Sequence, residues 1–186
     1  PAKTPQVITF QYNPATLSRS LQPPVTEPSG SNGQRAIALR YKGAPSETFN
    51  LDIEINAADQ LERGNQQAHN LGILPQLAVL EMLLYPPSGD VKLSDKLLDQ
   101  GQIEVASGYD APFTLLEWGK NRTIPVTITS LSITEELFDK NLNPMVASVK
   151  LGLKSLTYSD LVRSHRGYSD FVAYQQGKEQ LAQKAG

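Results

Sequence analysis

The chain lacks cysteine altogether, and it has only two histidines, two methionines and one tryptophan among its 186 residues. The absence of cysteine excludes disulfides, thiolate metal sites and a cysteine nucleophile. His69 and His165 lie far apart in the sequence, whereas a metal site needs three or four convergent ligands. We therefore expect no metal and no other cofactor, and we expect both histidines to be ordinary residues of helices.

The chain also has little excess charge of either sign. It carries 17 Lys and Arg against 19 Asp and Glu, a net charge of -2. Nucleic-acid binding needs a concentrated positive surface, so no nucleic-acid partner is expected. No apolar run approaches the roughly 18 residues of a membrane-spanning helix, and the first residues lack the apolar core of a signal peptide. The sequence therefore predicts no direct membrane insertion, and the lack of cysteine fits a reducing compartment.

Residues that could carry out catalysis are few and isolated. Asp52 and Glu54 share one face of a predicted strand, but neighbouring polar residues continue that row, which favours a solvated face over a glycosidase pair. Glu135, Glu136 and Asp139 lack the spacing of a calcium loop. Glycine-rich phosphate loops and nucleophile motifs are absent. The sequence therefore predicts no enzyme, and a hydrolase is its weakest alternative.

Two long alternating segments, residues 124–138 and 145–156, are joined by the short turn DKNLNP. The alternation of apolar and polar residues has the period of a β-strand, so the pair predicts a long β-hairpin with one apolar face. In the first segment the apolar positions change from even to odd numbers near Thr129 and Ser130. This change of phase predicts a β-bulge or bend there.

Other strands are predicted from shorter alternating segments at residues 7–12, 36–41, 49–56, 102–106 and 112–118. Residues 21–34 are rich in Pro, Ser and Gly and predict a loop.

Within residues 59–85 the apolar spacing predicts one buried helix, with Pro75 in its first turn and Pro86 at its end. We expect it to pack on the sheet through Leu77, Leu80 and Leu84. Residues 88–101 are polar and predict irregular structure with one turn.

Residues 159–186 predict a second helical region whose apolar side chains form a stripe. Its members are Leu161, Val162, His165, Tyr168, Phe171 and Val172. Such a stripe must be buried against something, either its own subunit or a partner. Leu161, Val162, Tyr168 and Phe171 are the candidate docking residues.

Three segments together resemble a known protein family. They are ITFQYNPATLSRSLQP near the start, APSETFNLDIEIN in the middle, and the stretch from PFTLLEWGK through the hairpin to LKSLTY. In this order they are similar to the tube-initiator, or tube-like baseplate, proteins of contractile injection systems, which are phage-tail-like particles. The resemblance covers roughly residues 7–160.

The resemblance implies a mainly β fold with helices, in which two packed sheets form a tail-tube-like barrel or sandwich. The domain would span residues 1–158, with residues 159–186 as a helical extension. Six subunits would form a ring that links the spike hub to the inner tube and templates tube assembly. The ring would assemble in the cytoplasm, within a phage-tail-like particle that is intracellular or released. Main-chain pairing of the hairpins would join the subunits, with an interface at Val126, Ile128, Leu131, Ile133, Val149 and Leu151.

Other partners implied by the resemblance are a second tube-initiator protein and, through the tail, a baseplate wedge or sheath initiator. Many relatives carry a LysM module after this domain; here we expect the helical tail in its place. The alternative from another class is a monomeric carbohydrate-binding β-sandwich that uses Trp118 and Tyr109 as a sugar platform.

Overall fold

A computed structural model describes residues 7–10, 12–24, 43–99 and 111–185, without the side chains of residues 93–95, 97 and 98. These residues form a mixed α and β structure with one curled, antiparallel five-stranded sheet and five helices. The α+β class predicted from the sequence is confirmed. The described residues form one sheet and not the two that the resemblance implies. The strands predicted at residues 36–41 and 102–106, and Tyr109, lie outside the described part.

The strands are β1 (Leu17–Gln22), β2 (Ser46–Asn56), β3 (Thr114–Glu117), β4 (Thr123–Phe138) and β5 (Pro144–Ser155). The helices are α1 (Ala58–Glu62), α2 (Gln66–Leu71), α3 (Leu74–Glu81), α4 (Ser88–Asp99) and α5 (Arg166–Gln183). The strands follow one another across the sheet in the order β1-β2-β5-β4-β3. β3 pairs with the first residues of β4, so that Thr114 lies opposite Val126 and Glu117 opposite Thr123.

The predicted long hairpin is confirmed as β4 and β5, which have 16 and 12 residues. From Ala147 onward every second residue of β5 is buried, and β5 is a central strand flanked by β2 and β4. β4 runs without a break through Thr129 and Ser130. Residues 124–128 are all buried or half-buried, whereas beyond Ser130 only Leu131 and Ile133 are half-buried. The change of phase and the bulge therefore stay predictions.

The chain divides into two compact units. Unit 1 comprises Pro1–Leu17, Leu51–Pro112 and Ser130–Leu151, and unit 2 comprises Ser18–Asn50, Phe113–Thr129 and Gly152–Gly186. Buried apolar residues of unit 1 include Leu51, Ile53, Ile73, Leu77, Leu80, Ala147 and Val149. Those of unit 2 include Phe49, Leu116, Ile124, Val126, Leu153, Phe171 and Tyr174.

The predicted helix with Pro75 in its first turn is present as α3, but it ends at Glu81 and not at Pro86. Two further short helices, α1 and α2, precede it and were not predicted. Glycines with positive φ, at Gly64 and Gly72, separate them, and glycine readily adopts this helix-ending conformation. Pro75 lies in the first turn of α3 as predicted. Leu77 and Leu80 are buried as predicted, but Leu84 is exposed because it follows the end of α3.

Residues 88–101 were expected to be irregular, and this expectation is wrong for α4. The backbone N–H groups of Asp90 and Val91 donate to the Pro87 carbonyl, so the proline pair that ends one helical segment also begins the next. A polar composition is compatible with a helix when its few apolar residues recur at helical spacing. Composition alone therefore does not distinguish a helix from irregular structure in this segment.

Both ends of the described chain also depart from the predictions. Residues 7–10 form no strand and Tyr12 lies in a bend, where its hydroxyl donates to the Asp59 carboxylate (3.2 Å). β1 forms instead, partly within the predicted loop. At the other end, α5 begins at Arg166 and not at residue 159, because the His165 side chain caps it by accepting from the Gly167 N–H (3.0 Å).

Candidate interaction surfaces

The turn between β4 and β5 is a closed network of hydrogen bonds around one carboxylate. Asp139 Oδ1 accepts from the backbone N–H groups of Asn141 (2.7 Å) and Asn143 (2.8 Å), and Oδ2 accepts from the Asn143 side chain (2.9 Å). The Asp139 N–H donates to the Asn143 carbonyl (3.0 Å). These hydrogen bonds lower the pKa of Asp139, and the largest contribution comes from the Asn143 side chain. The turn is therefore held in one shape.

The same turn is fastened to the helices of unit 1. The Asn143 side chain donates to the Asn70 carbonyl (3.1 Å), and the Ile73 N–H donates to the Pro144 carbonyl (2.9 Å). Gly72 lies so close that an added Cβ would stand 2.1 Å from the Pro144 oxygen. Only glycine fits this approach, so the end of the hairpin and the start of α3 have a fixed relative position.

Two leucines beside this turn adopt a backbone conformation that leucine rarely takes. Leu137 has φ 50° and Leu142 has φ 62°, and their side chains are 71% and 77% exposed. Left-handed backbone costs a non-glycine residue roughly 1–2 kcal/mol, and exposed apolar side chains do not offset that cost by burial. Phe138 is also exposed. We call Leu137, Phe138, Lys140 and Leu142 the hairpin tip.

Helix α3 has a second exposed apolar surface. The helix is apolar almost all round, and Leu77 and Leu80 bury one side of it. Its other side and the turns that follow are exposed at helical spacing, at Leu74, Ala78, Met82 and Tyr85. Glu81, the one charged residue of α3, lies in the same row, three residues after Ala78 and four before Tyr85. We call these five residues the α3 stripe.

Helix α5 is attached to unit 2 through a buried polar cluster. The Tyr174 hydroxyl donates to Glu47 Oε2 (3.0 Å), and the Lys178 ammonium pairs with Glu47 Oε1. The Glu47 N–H donates to the Ser155 hydroxyl (3.1 Å). Burial is the main cause that raises the pKa of Tyr174; Lys178 opposes the rise and Glu47 adds to it. Phe171 packs edge-on against Tyr158 nearby.

The six predicted interface residues fall into two groups. Val126, Val149 and Leu151 are buried within the chain itself, so their side chains are not accessible to a neighbouring subunit. Ile128, Leu131 and Ile133 on β4 are half-buried. Because β5 has a strand on each side, its main chain is also already paired. Contact of these residues with a neighbouring subunit stays a prediction.

The four predicted docking residues are not brought together as one stripe. Phe171 is buried in unit 2, which agrees with the alternative that the tail folds back on its own subunit. Leu161 and Tyr168 are half-buried. Val162, before the helix, is 70% exposed. Docking of this region on a partner stays a prediction.

Asp52 and Glu54 are exposed on β2, as the sequence predicted for a solvated face. Asp139 is engaged in its own turn, and within the described ranges no group of three His, Cys, Asp or Glu side chains could hold a metal ion. His165 caps α5 and packs edge-on against Phe113, and His69 is exposed on α2. Trp118 is half-buried beyond β3.

Sequence reasoning missed the hairpin tip, the α3 stripe and Glu47. Leu142 is an apolar residue inside a polar turn, which is the signal that was available. Glu47 has the same parity as the buried positions Phe49, Leu51 and Ile53, so the alternation of β2 already placed a carboxylate on the buried side. The stripe carried no such signal, because an apolar helix reads as buried on every side.

Comparison with known proteins adds no family. No protein-family model matches the sequence, and no curated protein matches it. Of the helices in the described ranges, none combines the length and the apolar character needed to cross a membrane.

Proposed function

We propose that this chain is a non-enzymatic structural protein of a contractile injection system baseplate. It would form a ring of six subunits between the spike hub and the inner tube, and the ring would template tube assembly. The observation that supports this most is where the resembling segments fall. The first ends in β1, the second contains β2, and the third spans β3, β4 and β5. The segments that resemble the family thus include all five strands of the described sheet.

A tail-tube-like ring needs two different sheet edges on each subunit, because a head-to-tail contact is not self-complementary. The outer strands of the described sheet are β1 and β3. β1 exposes five of its six side chains, and it has β2 on one side. We propose that β1 of one subunit adds to the β3 side of the next, since strand addition gives strength through main-chain hydrogen bonds.

Along an edge strand, successive N–H groups point alternately toward the neighbouring strand of the same sheet and away from it. Two adjacent positions on β1 therefore provide a matched pair of variants. Arg19→Pro and Ser20→Pro each remove one N–H from β1. One removes a bond within the subunit, and the other removes a donor that only a neighbour can use. We expect one of the two variants to keep the stability of the wild type and yet lose the ring, as seen by native mass spectrometry and negative-stain electron microscopy.

Two results would contradict the proposal. If both proline variants form normal six-membered rings, β1 is not the joining edge. If particles that contain a tagged copy of this chain show the tag away from the baseplate, the function itself is wrong. A monomeric chain that binds sugars, and loses that binding in Trp118→Ala, would instead support the carbohydrate-binding alternative.

A further inference from the structure

Helix α5 begins with a cap that works in only one protonation state of a histidine. The Nδ1 atom of His165 accepts a hydrogen bond from the Gly167 N–H (3.0 Å). A ring nitrogen can accept only while it carries no proton, and both ring nitrogens are donors in the charged form. Proton uptake by His165 therefore removes the acceptor and leaves the Gly167 N–H without its side-chain partner.

The surroundings of this cap favour the neutral form of the ring. Within the described ranges no carboxylate oxygen lies within 4.0 Å of a ring nitrogen of His165, whereas Arg166 follows it directly. The N-terminus of a helix is also the positive end of its dipole, and the first turn of α5 contains no acidic residue. The charged and titratable groups of residues 160–170 and 111–117, besides His165, are Asp160, Arg163, Arg166, Tyr168, Asp170 and Glu117.

The capped turn also holds the residue that leads into strand β3. The His165 ring packs edge-on against the Phe113 ring, with their centres 4.9 Å apart. Gly167 lies so close to the same ring that an added Cβ would stand 2.7 Å from Phe113 Cε2. Phe113 immediately precedes β3, the outer strand that pairs with the start of β4. The start of α5 thus fixes the entry to an edge strand.

We propose that His165 is a pH-sensitive switch that secures the start of α5, and through Phe113 the entry to β3, only while its ring is neutral. Histidine changes charge between about pH 5 and 8. Because folding favours the neutral ring, the cap stabilises the fold at the upper end of this range and loses that effect as the pH falls. The rest of α5 stays attached through the buried Phe171 and Tyr174. Mild acid therefore loosens the edge strand and leaves the core folded.

His165→Asn is the most informative variant, because asparagine is a strong capping residue that does not titrate. From about pH 7.5 to about pH 5.5, the unfolding equilibrium constant of the wild type should rise at least about threefold more than that of His165→Asn. Urea denaturation measures both. His165→Ser, which caps through its hydroxyl, serves the same comparison if the first variant does not fold.

His69→Asn is the matched control, because the chain has only these two histidines. His69 lies in the last turn of α2, where a cation is favoured, so it cannot produce the same loss in acid. The control should keep the pH dependence of the wild type. Equal pH dependence in wild type and His165→Asn, or its loss in His69→Asn, would overturn the proposal.

Two local readouts separate a switch from a general loss of stability. The protection of the Gly167 amide against hydrogen exchange should fall in mild acid in the wild type and not in His165→Asn. Trp118, the one tryptophan of the chain, directly follows β3, so its fluorescence should change over the same pH range. A fluorescence that stays constant while Gly167 loses protection would overturn the link to β3.

A consequence for the ring rests on the proposed function, in which β3 is a joining edge. Rings of the wild type should dissociate more readily at about pH 5.5 than at about pH 7.5, and rings of His165→Asn should not. A switch that operates in a chain that never forms a ring would refute the proposed function alone. Rings whose response to pH is the same in His165→Asn would refute this inference alone.

Discussion

Glu47 on β2 is fully buried, and its carboxylate accepts a 3.0 Å hydrogen bond from the hydroxyl of Tyr174, which lies 127 residues later on α5. Lys178, one turn further along the helix, pairs with the other carboxylate oxygen and lies 4.1 Å from the centre of the Tyr174 ring. A buried carboxylate requires such partners, since an unpaired charge in the core costs several kcal/mol. The cluster therefore fixes the position of α5 on unit 2.

The first prediction concerns the ion pair of that cluster. Lys178→Met should lower the free energy of unfolding by about 2 kcal/mol or more, because Glu47 would then be buried with only the Tyr174 hydroxyl as a side-chain donor. Lys184→Met removes the same charge from an exposed position and should change stability by no more than about 0.5 kcal/mol. Urea denaturation measures both. Equal effects in the two variants would show that the pair does not stabilise the fold.

A second prediction compares two leucines near one another in the chain. Leu80 is 3% exposed and Leu84 is 49% exposed. Leu80→Ala should cost ~2–5 kcal/mol of stability, because it removes a buried side chain and leaves a cavity. Leu84→Ala should stay within about 0.5 kcal/mol. A loss below about 1 kcal/mol in Leu80→Ala would mean that α3 does not contribute to the core as described.

The third prediction tests the close approach of Gly72 to the hairpin. Gly72 and Gly64 both have positive φ, so alanine is strained at either position. Only at Gly72 would the new Cβ also meet another residue, the Pro144 oxygen at 2.1 Å; nothing lies within 4 Å at Gly64. Gly72→Ala should therefore be less stable than Gly64→Ala by at least about 2 kcal/mol in thermal denaturation. Variants of equal stability would contradict the packing at this site.

The fourth prediction concerns acid and the hairpin turn. Hydrogen bonds hold the pKa of Asp139 below its usual value of 3.8. A carboxyl group whose pKa is lowered by folding contributes stability above its unfolded pKa, and that contribution is lost as the pH falls through the folded pKa. The stability difference between wild type and Asp139→Asn should therefore shrink below about pH 3.8. Denaturant titrations at several pH values would measure this difference, and a difference that stays constant below that pH would contradict the prediction.

Some of the architecture followed from local pattern. The alternation in residues 124–138 and 145–156 predicted β4 and β5, and the alternation in residues 49–56 predicted most of β2. These predictions succeeded because the period of a strand is set by its own backbone, so one buried face is enough to impose it. The helices α1 and α2 did not follow, and neither did the approach of Gly72 to the Pro144 oxygen, because a glycine inside an apolar run gives no sign of a nearby carbonyl oxygen.

The sequence by itself determined the strands of the hairpin, the buried face of α3 and the absence of thiol chemistry, because each depends on residue type and spacing alone. The tertiary structure decided which strand is central, which side of α3 stays exposed, and that Glu47 meets Tyr174 and Lys178. It also decided that Leu142 adopts a strained conformation in solvent. These features depend on contacts between residues far apart in the chain, so they cannot be predicted from the spacing of residues within one segment.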